Sequence, residues 1–182
     1  ADLPFWLDVA GARANDAPVV TPGMTLKRGE PEDHLPTAPR RLQGRMEIGG
    51  QEHFYLESHV ALAIPGEDDD VTVWSSTQHP SEVQHIVGHV LGIASHAVTV
   101  NVRRMGGGFG GKETQGNLFA ALAALAAKKL NRAVKFRPDR DEDMVVTGKR
   151  HDFVVDYDVG FDDEGRIHAV DAIFAARCGF SA

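Results

Sequence analysis

A chain of 182 residues, 42% of them apolar and 25% charged, is long enough to bury one sizeable core and has the make-up of an ordinary globular protein. A net charge of −7, with no long Lys/Arg run, excludes a nucleic-acid partner, because phosphate neutralisation needs a basic face. The single cysteine, Cys178, rules out an internal disulfide, and the longest nearly apolar run, residues 118–127, is too short to span a bilayer. With no charged and apolar leader at its start, the chain is expected in a reducing, cytoplasmic compartment. It opens at Ala1 without a methionine and stops at Ala182 straight after a strand pattern, so a fragment of a longer polypeptide is expected.

Residues 1–40 are rich in proline and poor in periodicity, which predicts a connector with one edge strand at most. Alternation predicts strands over 41–48, 53–64 and 71–75, pairing antiparallel. Residues 81–91 read as a helix capped by Ser81, with Val83, Ile86, Val87, Val90 and Leu91 on one side. His85 and His89 fall on its other side, and without a third ligand they read as a solvated pair. Val98, Val100 and Val102 mark a strand over 97–102. Residues 117–130 read as an alanine-rich helix, apolar almost all round and therefore buried. A short strand over 133–136 precedes the charged run Asp139-Arg-Asp-Glu-Asp143, read as a solvated turn. A hairpin over 154–158 and 167–174 turns at Asp162-Asp163-Glu164-Gly165. The fold class is α+β, an antiparallel-rich mixed sheet packed with two main helices.

Between the fourth strand and the alanine helix lies the run Gly106-Gly107-Gly108-Phe109-Gly110-Gly111-Lys112-Glu113, five glycines in six positions. Such a stretch adopts φ > 0 freely and lets a ligand approach the peptide N–H groups. Gly106, Gly108 and Gly111 satisfy the dinucleotide pattern G-x-G-x-x-G after a strand and before a helix, though so many glycines satisfy many patterns. Gly106 to Lys112 also fits a phosphate loop, but Glu113 stands where a Ser or Thr hydroxyl is needed, which excludes that reading. The helix N-terminus beyond the loop favours an anionic ligand.

Met105 to Thr114, taken with Gly50-Gln-Glu-His-Phe-Tyr-Leu-Glu57 and Asp139-Arg-Asp-Glu-Asp-Met144, resembles the molybdenum-binding subunit of the xanthine dehydrogenase family of molybdenum hydroxylases. The likeness runs over roughly residues 20–182, as three separated motifs in the same order. It implies a truncated molybdenum cofactor-binding domain over 41–182, with residues 1–40 as the connector and tail of a preceding hammerhead-like domain. It implies a molybdenum-molybdopterin cofactor, with FAD and [2Fe-2S] centres on other domains or subunits. The reaction implied is oxidative hydroxylation of hypoxanthine and xanthine to urate; an aldehyde or N-heterocycle dehydrogenase of the same family and a nucleotide-binding regulatory module are the alternatives. Partners implied are the purine substrate, an iron–sulfur/FAD subunit and the remainder of the molybdenum subunit.

Residue by residue, the resemblance assigns Gln51, Gly107, Gly108, Phe109 and Gly110 to the cofactor, with Gln51 and Phe109 beside the molybdenum without ligating it. An amide suits that task because it donates a hydrogen bond without adding charge. A phenylalanine between glycines is hard to explain as a surface residue. Glu113 is assigned to the substrate ring, a position where aldehyde-oxidising relatives tend to be apolar; compensation of the helix dipole would also suit it. The charged run 139–144 receives no chemistry. The family's general-base glutamate and the arginine facing Glu113 lie further downstream, so these residues alone are expected to be inactive.

Overall fold

A computed structural model describes residues 5–178, which divide into two compact units, one formed by residues up to Gln51 and from His151 on, the other by Glu52–Arg150.

In the first unit β1 (Arg40–Ile48), β6 (Phe153–Phe161) and β7 (Ile167–Ala176) make an antiparallel sheet in the order β1-β6-β7. The hairpin joining β6 to β7 is set by its turn. The Asp162 carboxylate accepts from the N–H groups of Glu164 and Arg166 at 3.0 and 2.8 Å, and Gly165 supplies a φ of +79°. Alternation then sorts the two faces. Gln43 reaches Asp158 and Arg45 reaches Asp156 from directly opposite strand positions, and Arg41, opposite Gly160, reaches Asp158 diagonally. Arg45 and Arg13 together hold the Asp156 carboxyl down at about 2. The other face carries Leu42, Met46, Val155, Val159, Val170 and Phe174. The expected connector, residues 1–40, contains α1 (Val9–Ala14), capped by Asp8, then α2 (Pro31–His34) and a 3-10 turn over Leu35–Thr37. No strand occurs among its described residues before Arg40, because its prolines favour turns and helix starts over a ladder.

In the second unit β2 (Ala61–Pro65), β3 (Val71–Ser75), β4 (Val98–Asn101) and β5 (Val134–Phe136) form a mixed sheet in the order β4-β3-β2-β5. Strand β3 runs parallel to β4 through the crossover helix α3 (Pro80–Leu91), and β2 pairs antiparallel with both β3 and β5. Helix α3 and helix α4 (Gly116–Leu130) pack against this sheet. The core is Ala61, Ala63, Val71, Val73 and Val98 from the strands, Val83 and Val87 from α3, and Phe119, Ala120, Ala123, Ala124 and Ala127 from α4. Alanines facing alanines let α4 approach β2 closely. The helix is buried along this stripe rather than all round, since Leu118 and Leu122 remain 53% and 42% exposed.

Four other expectations are corrected. Of the strands expected to pair antiparallel over 41–48, 53–64 and 71–75, only β2 and β3 do so, and β1 pairs with β6 in the other sheet. The strand expected over 53–64 is formed only at Ala61–Pro65, because residues 52–60 give their backbone groups to side chains, as described below. Helix α3 starts one residue early, with Pro80 as its first residue and His79, not Ser81, at the cap; the fixed φ of proline suits a first turn. The run 139–143 is no solvated turn. Asp139 caps α5 (Arg140–Val146) in a complete capping box with Glu142, and Asp143 is 1% exposed. No described helix is long and apolar enough to cross a membrane.

Candidate functional site

The irregular segment 52–60 is held by a buried carboxylate. Asp143 accepts the Tyr55 hydroxyl at 2.7 Å and the His59 backbone N–H at 2.5 Å, with His59 Nδ1 3.1 Å from both carboxylate oxygens. Thr147 Oγ1 closes the far side through the Asp143 carbonyl at 2.6 Å. Arg140, one helical turn earlier, donates to the carbonyls of Tyr55 (2.8 Å) and Leu56. A β ladder would need those same groups, so the strand periodicity of 53–60 loses to side-chain capture. Phe54 sits at φ +51° within this path.

Burial sets the protonation of the cluster. It pushes the His59 imidazole down, against the pull of Asp143, and pushes the Tyr55 hydroxyl up, with Asp143 adding to the rise. Burial also works against Asp143 ionising, but the donors from His59 and Tyr55 outweigh it and hold the carboxyl below its ordinary range. On acidification, unfolded His59 takes a proton at its ordinary 6.5 while the buried imidazole resists. Below 6.5 the unfolded state therefore binds more protons, and stability falls until the depressed folded value is reached. The Asp143 contribution is present above the ordinary 3.8 and is lost as pH falls through its own depressed value. Unfolding monitored by Trp74 in a Trp6→Phe background is expected to show stability declining from pH 6.5 downward. His59→Asn, which keeps a donor near the Nδ1 position, should flatten the upper part of that decline; an unchanged slope would remove His59 as its cause.

The glycine loop, residues 106–112, is anchored at both ends by side chains. At its entry Gly106 donates to Glu57 Oε2 (2.8 Å) and accepts from the Glu57 N–H (3.1 Å). At its exit Gln78 Oε1 accepts from Gly110 (3.0 Å) and Lys112 (3.2 Å), while the Gln78 N–H donates to the Lys112 carbonyl (2.9 Å). Between them the Gly111 N–H closes a turn on the Gly108 carbonyl at 2.8 Å. The glycines are required by crowding as much as by backbone angle. A Cβ on Gly106 would lie 2.6 Å from Glu57 Cβ, and one on Gly111 2.6 Å from the His53 ring.

Lys112 is fully buried beneath this loop. Its ammonium donates to the Glu57 carbonyl (2.7 Å) and Ser76 Oγ (2.9 Å), lies 3.4 Å from Glu57 Oε2, and sits 4.6 Å from the Tyr55 ring centroid. Burial pulls the ammonium down from its ordinary value and Glu57 pulls it back up. Burial likewise opposes ionisation of Glu57, but the Gly106 N–H, the Ser76 hydroxyl and Lys112 prevail and hold its carboxyl low. A lysine spent in this way cannot reach a phosphate, a second reason against the phosphate-loop pattern.

The N–H groups of Gly107, Gly108 and Phe109 find no acceptor among the described residues. Gly107, Phe109 and Gly110 take φ of +98°, +55° and +88°. Phe109 is 75% exposed and Glu113 exposed, so the aromatic ring does stand on the surface of these residues. Helix α4 follows directly, with Gln115 at its cap making no side-chain bond and no acidic residue in its first turn. Unpaired peptide donors in a glycine cradle beside an uncapped helix N-terminus fit the anionic, acceptor-rich surface of a pterin cofactor.

Of the residues assigned from the sequence, Gly107, Gly108, Phe109 and Gly110 thus lie in one anchored loop, with Glu113 three residues further on. Gln51 is exposed and belongs to the other compact unit. His85 and His89 are both exposed on α3, and no cluster of three metal-ligating side chains occurs among the described residues. Lys112, Glu57, Gln78, Asp143 and Arg140 were missed as architects of the site. One signal was available: Asp139 followed three residues later by Glu142 is the capping-box pattern. Nothing local marks the others.

The molybdopterin cofactor-binding domain model matches residues 14–182. The chain is 45% identical over 156 residues to a xanthine dehydrogenase of Drosophila pseudoobscura pseudoobscura, covering 86% of the chain and 12% of the relative. It is 42% identical over 164 residues to the xanthine dehydrogenase/oxidase of Gallus gallus, covering 90% and 12%. The chain therefore spans about an eighth of the length of these relatives. Among solved structures, the quinoline 2-oxidoreductase of Pseudomonas putida 86 superposes with a TM-score of 0.70 at 25% identity, covering 81% of this chain and 19% of that one. The aldehyde oxidoreductase of Desulfovibrio gigas gives 0.76 at 21% identity, covering 96% and 20%, a likeness of fold. With the cradle in place and the match spanning both units, the chain belongs to the molybdopterin cofactor-binding domain family.

Proposed function

We propose that this chain is the cofactor-holding segment of a molybdenum hydroxylase that oxidises hypoxanthine and xanthine to urate. The observation that carries the reading is the glycine loop itself: unpaired N–H groups at Gly107, Gly108 and Phe109, in a loop anchored by Glu57 and Gln78, with Glu113 exposed just beyond. Those three N–H groups would hold the cofactor by hydrogen bonds, and Gly110, whose own N–H goes to Gln78, would meet it by backbone contact. When bound, the molybdopterin centre supplies two-electron redox chemistry at a ring carbon. The residues of this chain bind and orient. Glu113 hydrogen-bonds the purine ring, and Phe109 excludes water from one side of the cofactor. Gln51 is carried as a further cofactor contact on the resemblance alone.

On the same reading residues 1–40 are a connector from a preceding hammerhead-like domain, and 41–182 begin the cofactor-binding domain. The general base, the FAD and the [2Fe-2S] centres reside elsewhere in a cytoplasmic enzyme, and residues 1–182 turn over no substrate by themselves.

The test is metal analysis and turnover of the intact enzyme that carries this chain. Stoichiometric molybdenum and a preference for xanthine over an aldehyde are expected. Glu113→Val should lower kcat/KM for xanthine about 10- to 150-fold, the loss of one hydrogen bond to a charged group, and spare aldehydes. Preferred turnover of aldehydes by the unaltered enzyme would reassign it within the family, and absence of molybdenum would sink the proposal.

A further inference from the structure

We propose that Gln78 is the positioning residue of the glycine loop: its carboxamide, rather than the loop's own hydrogen bonds, sets the direction in which the Gly107–Phe109 peptide donors point. The assignment of those donors to a cofactor rests on the reading above; the clamp itself rests on geometry alone.

Gln78 lies between β3 and α3, immediately before the His79 cap. It meets the exit of the loop as a neighbouring strand would. Its backbone N–H takes the Lys112 carbonyl, where Thr77 Oγ1 also donates at 3.1 Å, and its Oε1 bridges the N–H groups of Gly110 and Lys112. Because Oε1 accepts twice, the amide orientation is determined, with Nε2 turned away from these two contacts. Three bonds to Gln78, one from Gly110 and two at Lys112, bracket Gly111 and hold the end of the turn in which Phe109 and Gly110 both have positive φ. Loop hydrogen bonds are few by comparison: the Gly111–Gly108 closure is the one backbone bond between described loop residues at this turn. The loop depends on an external acceptor because its glycines resist no other path.

The clamp also explains one glycine. A Cβ on Gly108 would fall 2.5 Å from Gln78 Oε1 and 2.7 Å from Gln78 Cδ, and Gly108 has no positive φ of its own. An alanine at 108 would therefore have to push the Gln78 carboxamide aside, since the three atoms nearest its Cβ all belong to that side chain.

The experiment is amide hydrogen exchange on the intact enzyme carrying this chain, followed at the Gly110 and Lys112 N–H groups, with steady-state kinetics alongside. Gln78→Met keeps the length and removes the acceptor; exchange at both amides should rise about fivefold or more, as for one lost net hydrogen bond, with kcat for xanthine falling more than KM changes. Gln78→Glu keeps the acceptor, and its added charge sits before a helix N-terminus where it is tolerated; exchange should stay within about twofold of the parent while Gln78→Met rises, a split between two side chains of like length that a space-filling role would not give. Gly108→Ala should speed exchange of the same amides, and Gly108→Ala with Gln78→Ala should return its melting temperature toward that of Gln78→Ala alone. Parent-like exchange in Gln78→Met, or a Gly108→Ala defect that Gln78→Ala does not relieve, would overturn the proposal. Should Gln78→Met not accumulate, the Gly108/Gln78 pair decides by itself. A parent enzyme without molybdenum or xanthine turnover would instead fail the functional reading and leave the exchange result standing.

Discussion

Asp143→Ala is expected to remove about 3–5 kcal/mol of folding stability, the range for stripping one partner from a buried charged cluster. The carboxylate is 1% exposed and is the acceptor for the Tyr55 hydroxyl and the His59 N–H. Each donor left buried without an acceptor costs about 1–3 kcal/mol. Tyr55 can turn its hydroxyl proton toward His59 Nδ1, 3.0 Å away, but the His59 N–H is fixed by the backbone and has no alternative acceptor in the cluster. Asp143→Asn should lose less, since one oxygen still accepts while the amide faces a donor. Urea unfolding read by Trp74, in the Trp6→Phe background, checks this through the midpoint at unchanged m-value. A loss under about 1 kcal/mol, the worth of one ordinary hydrogen bond, would show that water replaces the carboxylate and that the cluster is not what anchors residues 52–60.

Lys112→Met is expected to cost about 2–4 kcal/mol and to loosen the entry of the glycine loop. The figure lies below the full range for breaking a buried pair because Glu57 is 36% exposed and recovers hydration once its partner is gone. What is not recovered is the donor to the Glu57 carbonyl and to Ser76 Oγ, and the contact with the Tyr55 ring. Methionine fills most of the volume, so a packing defect contributes little. Because Glu57 in turn holds Gly106, the same variant should speed amide exchange at Gly106 and lower molybdenum content in the intact enzyme. Unfolding parallel to that of the parent would mean that Lys112 is not the floor of the loop. A loss of stability with Gly106 still protected would separate the ion pair from the loop it underlies.

These two residues show where local reading stops. The hairpin of β6 and β7 was legible because period-2 alternation and an Asp-Asp-Glu-Gly turn act within twenty residues of each other. Helices α3 and α4 were legible in the same way. Residues 53–60 read as a strand because Phe54, Leu56 and Val60 satisfy the alternation, yet their peptide groups go to Asp143, Arg140 and Gly106. No window along the chain contains those partners. The charged run 139–143 reads as solvated for a matching reason: charge alone predicts exposure, and only a partner more than eighty residues away makes burial of Asp143 tolerable. Lys112 was legible as part of a motif but not as a buried cation.

The chain by itself determined that the five glycines of 106–111 can take left-handed backbone angles and present peptide groups, because freedom from a Cβ clash is a property of each glycine. It also determined the helix that follows and the order of the motifs that place the chain in its family. Only the tertiary structure decided which way the loop faces and what holds it there. That choice depends on burying Lys112, Asp143 and His59 against partners distant in sequence, and the free energy of a buried polar group is a property of its surroundings.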